Sequence, residues 1–323
     1  MSKRNQSLAQ NKNFGHIIAF VFYIGLGYFL FLAASNMNYV WKWNSIPSYF
    51  SYEEVTTIEA PFNGRFVLED EKYFVIDSSK QKKQLAIDDS FTLDYQVGEE
   101  VYSGDYLASK SETKAGPVLN GLWVTLKISF FAAILTFLIG IPLAFMRLSS
   151  YTFLKDIAGV YVAVIRGTPL LVQIFLFYFI VANIFELERF TAGVLSLGIF
   201  FGAYTAEVLR GAIQSIDKGQ LEASSSLGIS YFQAMRHIVL PQAFKRALPT
   251  LVGEMIALVK DSSLVSVIAI TDLTKVGREI VANTFSPFET WIVIALVYLS
   301  ITFTMSYIGH RLEKRMAEKG GLS

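Results

Sequence analysis

The ionisable and amide side chains that interrupt otherwise apolar runs are the residues of this chain able to do chemistry. Lys260 and Asp261 stand together in LVKDSSLVSVIAITDL (258–273), and Glu254 lies one to two helical turns earlier on the same segment. A charge inside an apolar segment is costly and marks a functional path or a paired structural site. A mutual or cross-helix ion pair would lower the desolvation cost of Lys260 and Asp261. The two therefore read as an element of a gate or substrate pathway, or as a structural pair beside a helix break. Glu254 faces a permeation cavity or lies near the end of its segment. Glu207 and Arg210 are three residues apart, share a helix face and read as a structural ion pair. Arg166 and Gln173 flank Thr168 and Pro169. Pro169 has no N–H to donate, so the backbone is irregular there. That irregularity exposes polar groups to a ligand or packs against a neighbouring subunit. Covalent and metal chemistry find no support: the chain has no cysteine, three histidines and no HExxH or GxSxG pattern.

The elements that position these residues are membrane helices. Hydrophobic residues make up 53% of the 323 residues and the mean hydropathy is +0.42, too apolar for a soluble domain of this length. The net charge of +1 gives no electrostatic reason to bind nucleic acid. Six apolar stretches of about 20 residues, the length that crosses a bilayer, lie near 16–34, 122–146, 158–184, 190–212, 247–270 and 289–309. The first is long for a signal peptide, and its exit AASNMNYVWKW suits cleavage poorly, so it reads as an uncleaved anchor. Lys3, Arg4, Lys12, Arg147, Lys155, Lys218, Arg236, Lys245, Arg246, Arg311, Lys314, Arg315 and Lys319 fall on one side of a six-span arrangement. The positive-inside bias then predicts cytoplasmic N- and C-termini. The expected fold is a mainly α, polytopic membrane protein with a small β-rich insert outside the cytoplasm.

Four parts follow. Residues 1–35 form the tail and first helix, 36–117 the insert, 118–315 the transmembrane core and 316–323 a cytoplasmic tail. Within the insert, RFVLED and KYFVID alternate like strands. IEAPFNGRFV (58–67) and VGEEVYSGDYLAS (97–109) resemble the two ends of a biotinyl/lipoyl-like β-sandwich, with Gly64, Gly98 and Gly104 expected in its tight turns. No Glu-Ala-Met-Lys tip is present to carry a cofactor.

The core contains a polar interruption, 217–245, on the predicted cytoplasmic side. It includes EASSSLGISYFQAMRHIVLPQAF (222–244). Gly228 permits a sharp turn between short helices. Phe232, Met235 and Ile238 recur at helical spacing and predict one apolar stripe. Pro241 predicts a break in the helix at Leu240. Physically this is an amphipathic helix offered to a cytoplasmic partner, or one lying flat on the lipid surface.

The pattern Glu222-Ala223-Ser-x-x-Leu-Gly228, followed by Ile-x-Leu-Pro241, resembles the EAA loop of permease subunits of ATP-binding-cassette (ABC) importers, with Ser224 where Ala is usual. NGLWVTLKIS (120–129), IRGTPLLVQIFLFYF (165–179), AYTAEVLRGAIQSI (203–216) and the KDSS segment resemble, in order, motifs of the polar amino-acid uptake subfamily. The resemblance covers about 120–315. It implies a five-helix type I importer core, with the first helix and the insert as additions. It also implies a bacterial inner-membrane permease that moves polar or charged amino acids by alternating access and is not itself an enzyme. The implied partners are two ATP-binding subunits that carry ATP and Mg, a second permease subunit (the same chain or a sibling), an extracytoplasmic amino-acid-binding protein and membrane lipid. This chain itself binds no cofactor, and it has no GxxxxGK[ST] loop for nucleotide. Glu222, Ala223, Gly228, Phe232, Met235, Ile238 and Pro241 are then expected to couple to the ATPase. A membrane-anchored receptor or scaffold that uses the insert for recognition is the alternative. An ion-coupled transporter would favour inverted repeats, and none is visible.

The absence of cysteine makes the topology directly testable. Cysteine placed at Ser79 is expected to react with a membrane-impermeant thiol reagent in intact spheroplasts. Cysteine at Ser225 is expected to react only after permeabilisation. The reverse pattern would overturn the orientation.

Overall fold

A computed structural model describes residues 12–36 and 39–318. Lys3, Arg4 and Lys319, three cations of the predicted cytoplasmic tails, lie outside the described residues. The chain divides into two units, Met1–Trp43 and Asn44–Ser323. The first contains helix α1 (Lys12–Ser35), whose apolar run is Gly15–Phe29. After it, Trp41 meets Tyr39 edge-on with ring centroids 5.3 Å apart and stacks on Trp43 at 5.4 Å.

The second unit opens with a short helix, α2 (Ile46–Phe50), and seven strands: β1 (Ser51–Glu59), β2 (Gly64–Glu69), β3 (Lys72–Ile76), β4 (Lys82–Gln84), β5 (Thr92–Leu93), β6 (Glu100–Val101) and β7 (Tyr106–Ala115). The helical core follows: α3 (Pro117–Leu148), α4 (Thr152–Arg166), α5 (Leu170–Leu176), α6 (Arg189–Gln214), α7 (Lys218–Ser226), α8 (Tyr231–Ala234), α9 (Leu240–Asp261), α10 (Leu273–Thr284) and α11 (Pro287–Glu318). Wide π-turns extend α5 over Phe177–Ala182 and join α8 to α9 over Met235–Val239.

The strands make two sheets, ordered β1-β7-β5 and β4-β3-β2-β6. Phe66, Val75, Val101 and Leu107 are buried between them. The two segments that resemble the ends of a β-sandwich lie side by side. Ala60 N donates to the Asp105 carbonyl at 2.8 Å, Gly104 N to the Ala60 carbonyl at 2.9 Å, and Ser103 N to Asn63 Oδ1 at 2.8 Å. Tyr95 donates its hydroxyl to Asp105 Oδ2 at 3.1 Å, a bond that raises the phenol above its ordinary pKa. Gly98 and Gly104 have positive φ. Gly64 does not make a turn as expected. It opens β2, where a Cβ would lie 2.4 Å from the Ile76 carbonyl oxygen.

Proximal to the sandwich, β1 and β7 run as an antiparallel ribbon from Ser51↔Ala115 to Thr57↔Ser109. Most of this ribbon is exposed, so its rigidity comes from its base. Gly116 N donates to the Phe50 carbonyl at 2.7 Å. Tyr49 is buried with Val118 of α3, Leu273, Val276 and Ile280 of α10, and Ile294 of α11. Its hydroxyl lies 3.0 Å from Ser286 Oγ.

In the helical core α3 packs along α6. Gly198 and Gly202 sit against Leu135 and Ile139, where an added Cβ would come within 2.6 and 2.9 Å. Small residues at such a seam let two backbones approach in the absence of a hydrophobic drive. The span pattern differs from the sequence expectation in two places. The stretch 158–184 is not one straight helix: α4 and α5 meet at a bend of 106°, because Pro169 removes a backbone donor and restricts Thr168. The stretch 247–270 is α9, followed by a 3₁₀ segment, Ser262–Ile268, and left-handed Ala269. Lys245, Arg246, Glu254, Lys260 and Asp261 dilute the hydropathy of α9. Among the described residues, α3, α6 and α11 are long and apolar enough to cross a membrane, and a fourth span is added if the bent pair counts as one.

Gly116 allows a close approach at the ribbon base, since a Cβ there would lie 2.3 Å from the Tyr49 carbonyl oxygen. Gly116→Ala is expected to cost about 1–3 kcal/mol through this overlap. The checks are the melting temperature of the purified protein and its sensitivity to proteolysis in the ribbon. An unchanged melt and digest would remove the base from the account of how the insert is held.

Candidate functional site

The bend between α4 and α5 is held by side chains. Gln173, on the first turns of α5, is buried at 3% exposure. Its Nε2 donates to the Ile165 carbonyl at 2.7 Å, to Thr168 Oγ1 at 2.7 Å and, at a longer 3.2 Å, to the Thr168 carbonyl. Two of these acceptors are carbonyl oxygens, so only the nitrogen of the amide can face them. Thr168 in turn donates its hydroxyl to the Val164 carbonyl at 3.0 Å. Oxygens freed by the break are thus satisfied within the fold, as an apolar surrounding requires. Pro169 caps α5 in an extended conformation.

Arg166 ends α4 just before the bend. Its guanidinium lies over the Tyr204 ring, 5.0 Å from the centroid, and one nitrogen lies 4.0 Å from Glu207 Oε2. Arg210 donates to Glu207 through Nη2 at 2.7 Å and through Nε at 3.1 Å to both carboxylate oxygens. It also donates to Gln214 Oε1 at 2.6 Å. Arg147, at the end of α3, donates Nε to Glu207 Oε1 at 3.2 Å. One carboxylate, only 15% exposed at its side chain, therefore joins α3, α4 and α6 through three guanidiniums. Sequence reasoning found the Glu207–Arg210 contact, because three residues on one helix are neighbours. It missed Arg147 and linked Arg166 to Gln173 instead. Contacts across 60 and 41 positions leave no local pattern to read.

Glu254 is half-buried on α9, Lys260 is exposed and Asp261 partly exposed. Among the described residues no salt bridge joins Lys260 to Asp261 or links either to another helix. A mutual pair, one of the two readings of these residues, is disfavoured because adjacent residues on a helix point in different directions. Lys260 lies in the last turn of α9, where a cation complements the helix dipole. No hydrogen bond or salt bridge among the described residues brings Glu254, Lys260 or Asp261 to the 166–173 bend.

The polar interruption forms two short capped helices. Asp217 Oδ1 accepts from Gly219 N at 2.8 Å and starts α7. Ser224 is buried, its hydroxyl donating to the Gln220 carbonyl at 2.6 Å. Gly228 has φ +73°. Ile229 N donates to the Ser224 carbonyl and Gly228 N to the Ser225 carbonyl, both at 3.0 Å. That pair of bonds around a left-handed glycine is a Schellman closure. Ser230 and Gln233 then form a reciprocal capping box that starts α8.

Two expectations for this segment need correction. Phe232, Met235 and Ile238 do not share one outward stripe. Phe232 is 70% exposed, whereas Met235 packs toward Ile216, Val239 and Ala243, and Ile238 is half-buried. The π-turn over Met235–Val239 shifts the helical phase between them. Pro241 does not break the chain at Leu240, which has helical φ and ψ. The wide turn accommodates the proline, and Gln242 Nε2 donates to the Ile238 carbonyl at 3.0 Å. The apolar groups that do face outward are Leu227, Tyr231 and Phe232, exposed at 79%, 69% and 70% beside Gly228. Leu227 and Tyr231 were missed, although their positions on either side of the glycine turn were a usable signal. Glu222 and Ala223 are exposed on α7. Phe232 and Arg236 face the α3–α4 turn across a cleft of about 630 Å³.

Gln173→Leu keeps the volume and removes the donors. It is expected to cost about 0.5–1.5 kcal/mol, because the part-buried Ile165 and Thr168 oxygens lose the donor that ties them to α5. A lowered melting temperature of the purified protein checks this, and an unchanged one would mean that the bend holds itself.

The family described as "Binding-protein-dependent transport system inner membrane component" matches residues 136–318. The chain is 40% identical over 202 residues to the "Glutamine transport system permease protein GlnP" of Escherichia coli (strain K12), covering 62% of this chain and 92% of the relative. It is 36% identical over 201 residues to the "Arginine transport system permease protein ArtQ" of Bacillus subtilis (strain 168), with the same coverages. A solved structure described as "Crystal structure of an amino acid ABC transporter with histidines" matches with TM-score 0.58 and 42% identity, over 62% of this chain and 94% of that one. The methionine transporter MetNI matches at 18% identity and TM-score 0.56, a likeness of fold. With more than half of its length inside the family match and its helical core aligned to permease subunits over nearly their whole length, this chain belongs to the binding-protein-dependent transport system inner membrane component family.

Proposed function

We propose that this chain is the permease subunit of an ATP-driven importer of polar or charged amino acids, and that its 217–245 segment is the contact through which a separate ATPase drives it. The exposed triad Leu227, Tyr231 and Phe232 carries this reading. Three large apolar side chains stand exposed around the Gly228 turn, where α7 closes and α8 opens with a capping box. A rigid apolar knob of this kind suits a partner groove better than open water. Arg246 hydrogen-bonds the Ser215 carbonyl and ties the foot of α9 to the end of α6. A displacement of α7 and α8 is therefore passed to two long helices of the core. In this proposal Glu222, Ala223, Gly228 and Phe232 belong to the docking face, while Met235, Ile238 and Pro241 join that face to α9.

The substrate class follows from the relatives, whose names give glutamine and arginine transport. In the pathway reading, Glu254 and Asp261 lie seven residues apart, about two turns, on one face of α9. Arg166, Thr168, Pro169, Gln173 and Lys260 remain the other pathway candidates, with Thr168, Pro169 and Gln173 acting by shaping the bend. The proposal includes six spans, cytoplasmic termini, and an extracytoplasmic insert that is accessory to transport. It also includes two ATPase subunits, a second permease subunit and a soluble binding protein as partners, with alternating access as the mechanism. ATP and Mg belong to the ATPase.

Gly228→Val tests the central claim. A β-branched residue held left-handed costs about 1–2 kcal/mol, which should turn the triad away from its partner without unfolding the spans. In proteoliposomes containing the permease and its ATPase, the expected result is normal membrane insertion with substrate-stimulated ATP hydrolysis lost. Full stimulation and uptake in the variant would reject the coupling role.

A further inference from the structure

Lys127 is the one charge in α3 before Arg147. The two are 20 residues apart, a rise of about 30 Å, which equals the hydrocarbon thickness of a bilayer. They therefore mark the two faces of the membrane, with Trp123 at the Lys127 end as an interfacial aromatic would be. Lys127 has no carboxylate within 4.0 Å among the described residues. Its ammonium lies 5.2 Å from the centroid of the Phe190 ring, which holds the cation without neutralising it.

Lys127 also lines a groove of about 770 Å³ between α3, α9 and α11, whose walls include Phe130, Phe131, Leu258, Val259 and Met305. From Trp123 to Phe137 the groove follows α3 for about 21 Å. Ser129, 5% exposed and without a partner for its hydroxyl among the described residues, is the remaining polar residue on its wall. An apolar trough inside the membrane with one unneutralised cation at its mouth has the chemistry of a single ligand class.

We propose that this groove binds an anionic phospholipid, with its phosphate on Lys127 and an acyl chain lying between α3, α9 and α11. The proposal rests on the chain spanning a membrane and not on which solute it carries. The chain would bridge α3 to Leu258 and Val259, the residues immediately before Lys260 and Asp261 on α9. Occupancy should therefore favour one placement of α9 and alter ATPase turnover.

The test uses the full permease assembled with its ATPase in nanodiscs of phosphatidylglycerol or phosphatidylcholine. Native mass spectrometry reads the retained lipid, and ATPase rate is measured alongside. A lysine near the membrane surface contributes enough to an anionic lipid for about a fivefold preference. Wild type should retain phosphatidylglycerol over phosphatidylcholine by that factor, Lys127→Arg should keep the preference, and Lys127→Gln should lose it together with the lipid dependence of the ATPase rate. A photo-cross-linking residue in place of Leu126 should capture lipid. Equal retention in Lys127→Gln and wild type overturns the proposal. Cross-linking to protein also overturns it, by showing that a polypeptide segment and not lipid fills the groove.

Discussion

Oxygens freed by a bend inside an apolar protein must find donors, and in this chain they find Gln173. One amide meets the Ile165 carbonyl, the Thr168 carbonyl and the Thr168 hydroxyl. Each of these part-buried bonds is worth roughly 0.5–1.5 kcal/mol. The 106° angle between α4 and α5 depends on that exchange. So does the placement of Arg166 at the end of α4, close enough to reach both Tyr204 and Glu207. The Glu207 centre is therefore downstream of the bend: it fastens three helices at the point to which the bend delivers one of them.

The fastening is asymmetric. Arg210 holds Glu207 through three contacts of 3.1 Å or less, Arg147 through one, and Arg166 through a 4.0 Å approach. The α6 contact is local and the α4 contact weak. Such grading means that the contacts would part in order, since screened and partly exposed charges separate at lower cost than a bidentate pair. The same contrast appears in the 217–245 segment. Its turns carry caps at Asp217, Gly228 and Ser230, while Leu227, Tyr231 and Phe232 are left facing outward.

What the sequence disclosed was what local chemistry encodes. The 222–244 stretch announced a turn at Gly228, and the positive φ is there. The proline at 169 announced an irregularity, though not its angle, because the Gln173 bonds that hold the bend reach back to residues 165 and 168 and follow from no local pattern. The strands of the insert were visible in their alternation, and the pieces at 58–67 and 97–109 meet through backbone bonds that no sequence pattern specifies. The failures have separate causes. The stripe Phe232–Met235–Ile238 assumed 3.6 residues per turn, and one wide turn changed the phase. The break expected at Leu240 assumed that proline ends a helix, and the same wide turn absorbed it. Lys260 and Asp261 looked paired because they are adjacent in the sequence, but adjacency on a helix separates side chains. The Arg147–Glu207 contact joins residues 60 positions apart and was legible only once α3 and α6 had been brought together by their glycine seam.

The ribbon base has a consequence for how such a chain can be assembled from parts. Ser51 and Ala115 are ladder partners, so the chain leaves the helical core and returns to it through a single rung. From the side of α3 the insert is equivalent to a closed loop whose ends never separate, whatever is built beyond them. The connectivity of the core is then indifferent to the size and content of that loop, because the entropy of joining its ends is settled at the base. A module with both termini on one rung can be gained, lost or exchanged in a lineage without asking any transmembrane helix to change its neighbours. The core aligned to one relative over 92% of that relative's length occupies 62% of this chain.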